Sequence, residues 1–207
     1  MIITQKDIDQ FGKIYRINLM NSLSGFKSSN LIGTKSKQGI ENVAVFSSVV
    51  HLGSNPPLLG FILRPATVPR NTYENLKSTG CYTINHITKS MTKQAHHTSA
   101  KYHKEISEFE VTNLTPKYIN GFYAPFVLQS PVQIAMKYLE EYPIRANGTI
   151  LIVGQIEFFK VVPKMLKSDG FLDLPSQQIT AINGLDAYTV PQMHERYEYQ
   201  RPIKLTT

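Results

Sequence analysis

Short runs of β-branched and aromatic residues, each stopped by Gly, Asn or Pro, recur through the middle of this chain and limit what it can fold into. The sharpest stop is Asn55-Pro56-Pro57, where two prolines fix φ and remove two backbone donors. Before it, Asn30 to Lys37 reads as a strand. Gln38-Gly39 with Asn42 supplies turn chemistry, and Val43 to Val50 reads as the next strand. After it, Leu58 to Leu63 is nearly continuous in apolar residues, as suits a strand buried on both faces. Asn71 to Thr79 is expected to be a short helix, with Asn71 as cap, Glu74 at capping-box spacing and Gly80 as stop. Cys81 to Ile87 is a further strand. Thr88 or Ser90 is placed to cap a helix through Lys93–Ser99, and Ile106 to Gly121 reads as loop with one helical turn. Two long strands follow. One alternates Val132, Ile134, Met136 and Tyr138 on one face, and the other spans Gly148 to Val162.

Strands in series with small inserted helices point to an all-β barrel core, because a doubly wound sheet needs more and longer helices. At 207 residues, 42% of them hydrophobic, the chain can fill one core, and a single domain over 1–207 is expected. Residues 1–26 read as a covering segment with Ile14, Ile17, Leu19 and Met20 available to pack, and 163–207 as an irregular tail. No apolar run approaches the roughly 20 residues of a membrane helix, and the N-terminus lacks a signal-peptide pattern. With a single cysteine there is no internal disulfide framework, and the cytoplasm is the expected compartment.

A formal charge of +7 suggests a polyanion partner. The cations are scattered, however, and none interleaves with aromatics as a base-stacking platform would. Nucleic acid is therefore not the expected partner. A phosphorylated small ligand would use the same surplus.

The glycines form neither a dinucleotide fingerprint nor a phosphate loop, and no nucleophile elbow occurs. Cys81 lies inside an expected strand, where cysteines usually just pack. His96, His97 and His103 are close in sequence but lack metal-ligand spacing with a carboxylate or cysteine, so no metal site is expected. Glu140 and Glu141, adjacent on a strand, point to opposite faces and make a poor acid–base pair. No catalytic side chain is assigned.

Chemistry gathers instead along Asn42 to Ser48, followed by Ser54-Asn55-Pro56-Pro57 and Arg64-Pro65. A strand of small and hydroxyl residues running into a rigid loop can let a planar ligand lie along its backbone. Ser47 and Ser48 offer hydroxyls, and Arg64 offers a fork for phosphate, although serines at a strand end also serve as plain turn residues.

The runs NVAVFSSVVHLGSNPPLLGFILRP (42–65), RNTYENLKSTGCYTIN (70–85), AHHTSAKY (95–102) and SEFEVTNLTP (107–116) resemble, in order and spacing, the flavin reductase-like family of FMN-binding split barrels. The likeness covers roughly residues 27 to 160, and GLDAY (184–188) with YEYQRP (197–202) resembles the tails of one branch. It implies a six-stranded antiparallel split barrel, a homodimer, and one FMN per subunit near the dimer interface. It also implies that the flavin ring runs along Ala44, Val45, Phe46, Ser47 and Ser48. Phosphate and ribityl groups are met by some of Ser28, Ser29, Ser47, Ser48, Arg64, Thr98, Ser99 and Tyr102. The helix opening at Asn71-Thr72 is a further anion candidate, and Thr98-Ser99 also reads as a helix C-terminal cap. Many relatives have proline where this chain has Val45. NADH or NADPH enters as transient co-substrate, with His51 or His97 lining its cleft, and a non-catalytic FMN redox carrier is the alternative.

Overall fold

A β-branched backbone whose side chains alternate between two apolar environments has to curl, and here it curls into a barrel. The computed structural model describes residues 1–202. In chain order its strands are β1 (Lys27–Ser28), β2 (Asn30–Lys35), β3 (Glu41–Phe46), β4 (Val50–Ser54), β5 (Pro57–Leu63), β6 (Cys81–His86), β7 (Pro116–Lys117), β8 (Phe126–Val127), β9 (Val132–Ile144), β10 (Thr149–Val161), β11 (Ala181–Asn183) and β12 (Ala187–Thr189). The helices are α1 (Gln5–Gln10), α2 (Lys13–Leu23), α3 (Asn71–Thr79), α4 (Thr92–His97) and α5 (Glu108–Thr112).

The main sheet has seven strands in the order β3-β2-β6-β9-β10-β5-β4, every neighbour antiparallel. The family resemblance implied six, and Val43 to Val50 reads in the sequence as one strand. That run is broken at Ser47–Val49, and β4 resumes on the opposite edge of the sheet. Ser48 makes the break: its Oγ donates to Ile62 O at 3.1 Å and accepts from Ile62 N at 3.0 Å, taking the place of a strand neighbour. The two edges β3 and β4 are thus consecutive in the chain, and the split of the barrel lies between them. Asn55-Pro56, a cis bond, turns β4 into β5.

The interior is filled from all sides. Ile32, Phe61, Tyr82, Ile84, Met136 and Ile152 form one buried cluster, with Phe46 packed against it. Phe46 meets Phe61 edge to face at 5.1 Å, and Phe61 meets Tyr82 at 5.5 Å, bridging the two sides of the split. Leu76 of α3, fully buried, packs into the same cluster. Outside, Leu31 and Val43 pack under Met91, Ala95 and Phe109 of the helical insert, with Val45 and Tyr188 beside them.

Several sequence expectations shift. Gly80 ends α3 in the left-handed region at φ 73°, as its type suggests, but the cap is Arg70, which makes no side-chain cap bond; Asn71 is already helical. Thr88 precedes a 3-10 turn (Lys89–Met91) without capping it, and its hydroxyl lies 3.0 Å from that of Ser90. Residues 1–26 do not cover the core of their own chain. They form α1 and α2, neither with a buried residue, and Ile14 is 72% exposed. The tail is not uniformly irregular either. β11 and β12 join β1 in a three-stranded sheet, and Met165 and Ile179 are buried with Val132. Strands of three residues are too short for a period-two pattern to reveal.

Candidate functional site

Register decides which groups on β3 remain free. Gly33 lies opposite Val43, and Leu31 opposite Val45. The Val43 amide donates away from β2, to Glu108 Oε2 at 3.2 Å. In an antiparallel pair, peptide groups on alternate residues point the same way. Val45 therefore presents its N–H and C=O at the open edge, as a planar ligand with donors and acceptors on its rim requires. Ala44 and Phe46 bond toward β2 and send their side chains inward, Phe46 into the barrel cluster.

The expected hydroxyls fall into two sets. Ser28, Ser47 and Ser48 gather at the bend after β3. Ser28 Oγ donates to Val49 O at 3.2 Å and Ser48 Oγ is held by Ile62, whereas Ser47 makes no side-chain hydrogen bond among the described residues. Ser29 is 2% exposed and bonded to Thr180 O at 2.7 Å, so its hydroxyl is already engaged. Thr98, Ser99 and Tyr102 form the second set, at the end of α4 over the outer face of β3. Thr98 is buried and donates to Ala95 O at 2.7 Å, the capping role its position suggested, while Ser99 is exposed. Tyr102 Oη lies 2.7 Å from His97 Nε2.

Arg64 is exposed, two residues beyond the Ile62 that tethers Ser48. The cationic corner has a further member that sequence reasoning missed. Arg70, half-buried, donates from Nε to Pro65 O at 3.0 Å, beside the first turn of α3. There the free amides and helix dipole favour an anion. Only the fold of 64–70 brings the Arg70 side chain back to Pro65, so no local pattern signals it.

Glu108 was also missed. It is 5% exposed, and its Oε2 accepts from Asn42 Nδ2 at 2.6 Å as well as from Val43 N. Burial pushes its pKa up, and these donors pull the other way. Tyr188 and His96 meet edge to face at 5.8 Å beside α4, and burial pushes the Tyr188 phenol up to about 12. The residues not taken for chemistry are placed elsewhere. Cys81 is half-buried, its thiol pushed up by burial. Glu141 binds Tyr73, Tyr138 and Lys77. Among the described residues, no group of three or more His, Cys, Asp or Glu could hold a metal ion, and no helix is long and apolar enough to cross a membrane.

Residues 24–175 match the flavin reductase-like domain family. The chain belongs to that family. A candidate flavin reductase with a split barrel domain, from Shewanella frigidimarina, is 45% identical, with a TM-score of 0.94 over 97% of this chain and 100% of its own. Nitrilotriacetate monooxygenase component B from Bacillus cereus shares the fold at 18% identity, with a TM-score of 0.81 over 96% of this chain and 98% of its own. An uncharacterized protein of Halalkalibacterium halodurans is 23% identical over 177 residues, 83% of each chain. Membership of the flavin reductase-like family carries a flavin-related redox function, and the split-barrel architecture is the one its neighbours share.

His86, half-buried at the end of β6, supplies a pH prediction. Burial lowers its pKa from 6.5 to about 4. Between those values the unfolded chain takes up a proton that the folded chain refuses. The stability is therefore complete above pH 6.5 and is lost as pH falls toward 4, at ~1.4 kcal/mol per pH unit and about 3 kcal/mol in all. Urea midpoints at pH 7 and pH 5 should show the drop in the native protein, and a His86→Phe variant should lack that part of it.

Proposed function

We propose that this chain holds FMN along β3 and acts as an NAD(P)H-dependent flavin reductase, as a cytoplasmic homodimer with one FMN per subunit. The observation that carries the reading is the open edge at Val45, next to the Ser47 hydroxyl, with Arg64 exposed and Arg70 turned back onto Pro65.

The donor set fits the group. A flavin ring needs in-plane donors and acceptors along one rim, which the Val45 peptide provides, and its phosphate needs fixed positive charge. Of the residues considered from the sequence, Ala44, Val45 and Phe46 shape the edge, and Ser28, Ser47 and Ser48 shape the bend. Ser99 and Tyr102 stand on the outer side. Ser29 and Thr98 hold neighbouring backbone, so their part is to keep the cradle in shape. Bound FMN would supply the redox chemistry, taking up a hydride and releasing electrons. The chain's own work is to bind and orient, which agrees with the lack of a general base in the assignment. His97, tied to Tyr102, and the exposed His51 on β4 are the side chains offered to a nicotinamide nucleotide.

Support for the homodimer comes from the unburied apolar side chains of α2, with Ile14, Tyr15 and Leu23 all more than half exposed. The test of function is anaerobic. Protein purified with FMN should lose its visible absorbance on addition of NADH or NADPH. Yellow protein that neither nucleotide bleaches would sink the reductase reading and leave a non-catalytic FMN redox carrier.

A further inference from the structure

Beyond β12 the chain runs over the surface as an arm. Residues 190–202 form neither helix nor strand, and among the described residues none of them makes a hydrogen bond to α2. Arg196 pins the arm to its own chain. Its Nη2 donates to Asp169 Oδ2 at 2.6 Å, and its guanidinium carbon lies 3.9 Å from the centre of the Phe171 ring. Side chains of an extended segment alternate in direction, so with 196 turned inward, 195, 197 and 199 turn outward. Tyr197 is 75% exposed and Tyr199 91%. Glu195 lies close enough to the Tyr197 phenol to push its pKa up, so carboxylate and ring share the outer side. Tyrosine brings a large apolar area at small entropic cost, and here two in series are received by nothing in their own chain.

α2 offers the complementary surface. Ile14, Ile17, Met20 and Leu23, three residues apart, form a ridge that is exposed along the whole helix. The ridge is about 13 Å long at 1.5 Å per residue, and 195–199, fully extended, cover about the same distance. The charges match as well. α2 carries Lys13 and Arg16 and no acidic residue, whereas the arm brings Glu195 and Glu198. Among the described residues none of these four has an ion-pair partner. Arm and helix are each unpartnered within one chain, and each has what the other lacks.

We propose that the arm of one copy lies along α2 of a second copy, with Tyr197 and Tyr199 on the Ile14–Leu23 ridge and Glu195 and Glu198 facing Lys13 and Arg16. The contact rests on the homodimer reading and supplies what holds the two copies together. Under two-fold symmetry it is made twice. Four tyrosines bury roughly 600–1,000 Å², and the ridges they cover bring the total into the ordinary range of stable interfaces, about 1,200–2,000 Å².

Sedimentation velocity on the full chain tests it. The parent should be a dimer, and Tyr197→Ser with Tyr199→Ser should raise its dissociation constant at least tenfold. Charge reversal then separates a contact between copies from one within a chain. Lys13→Glu with Arg16→Glu should weaken self-association about tenfold, and so should Glu195→Lys with Glu198→Lys. An equimolar mixture of these two variants should recover the parent's dimer, because every arm then meets a helix of opposite charge. All the altered side chains are exposed, so the variants should keep the parent's circular dichroism. A dimer indifferent to the tyrosine pair, or a mixture no stronger than its components, overturns the arm contact and leaves the homodimer reading standing. A monomeric parent defeats both, and if it sediments with phosphatidylserine vesicles the basic ridge is a membrane surface instead.

Discussion

Replacing Glu108 by alanine is expected to lower the unfolding free energy by about 3 kcal/mol and to loosen the retention of FMN. The carboxylate is the outer partner of β3, accepting from Asn42 Nδ2 and Val43 N. Asn42 Oδ1 in turn accepts from Thr34 Oγ1 at 3.1 Å and Thr72 Oγ1 at 3.0 Å, and Asn75 Nδ2 donates to Thr34 Oγ1 at 3.1 Å. All of these residues are buried. Truncation leaves two buried donors unmet and frees the edge strand two residues before Val45. Glu108→Gln keeps an acceptor and should cost much less, about 1 kcal/mol. The pH dependence separates the two roles of the group. Burial raises the folded pKa above the unfolded value, so this group favours the fold below the unfolded value, and that contribution is lost as pH rises through the folded one. The Gln variant should lack that component. Urea titrations with FMN fluorescence read both effects, and an alanine variant as stable as the parent would remove Glu108 from the account.

Gly33→Ala should be at least as damaging, costing about 3 kcal/mol or more and lowering Tm by about 10 °C. A Cβ at this position would sit 2.2 Å from Pro125 O and 2.6 Å from Thr83 Oγ1. Neither neighbour can swing away cheaply. Thr83 Oγ1 donates to that same carbonyl at 2.7 Å, and two residues on, Val127 N donates to Asn85 Oδ1 at 3.0 Å. Phe126 between them is fully buried. The 125–127 segment or β2 must therefore shift, and either shift disturbs the outer layer that supports β3. Thermal unfolding checks it, and a Tm within 2 °C of the parent would mean that the outer layer yields far more easily than its bonding indicates.

Much of this fold was readable residue by residue. The β-branched runs became strands within a few residues of the expected ends, Gly80 stopped α3, and Asn55-Pro56-Pro57 made the sharp turn. These are local preferences, set by sterics within a few bonds. The blocks that carry the family likeness were equally legible, because a motif is read in order along the chain. The misreadings share a different cause. Val43 to Val50 has the composition of one strand, yet Ser48 is captured by Ile62, fourteen positions away, and the strand becomes two. Asn71 has the right type and spacing for a cap, yet Arg70 takes the position.

By itself, then, the order of residues determined the β-rich barrel class and the family. Tertiary structure decided which peptide groups of β3 stay unpaired, that Arg70 turns back onto Pro65, that Glu108 backs the edge, and that Asn30 stands opposite His86. Each of these depends on register between segments distant in sequence. Whether a polar atom is met or left over is a property of its neighbours in space, and no local propensity encodes it.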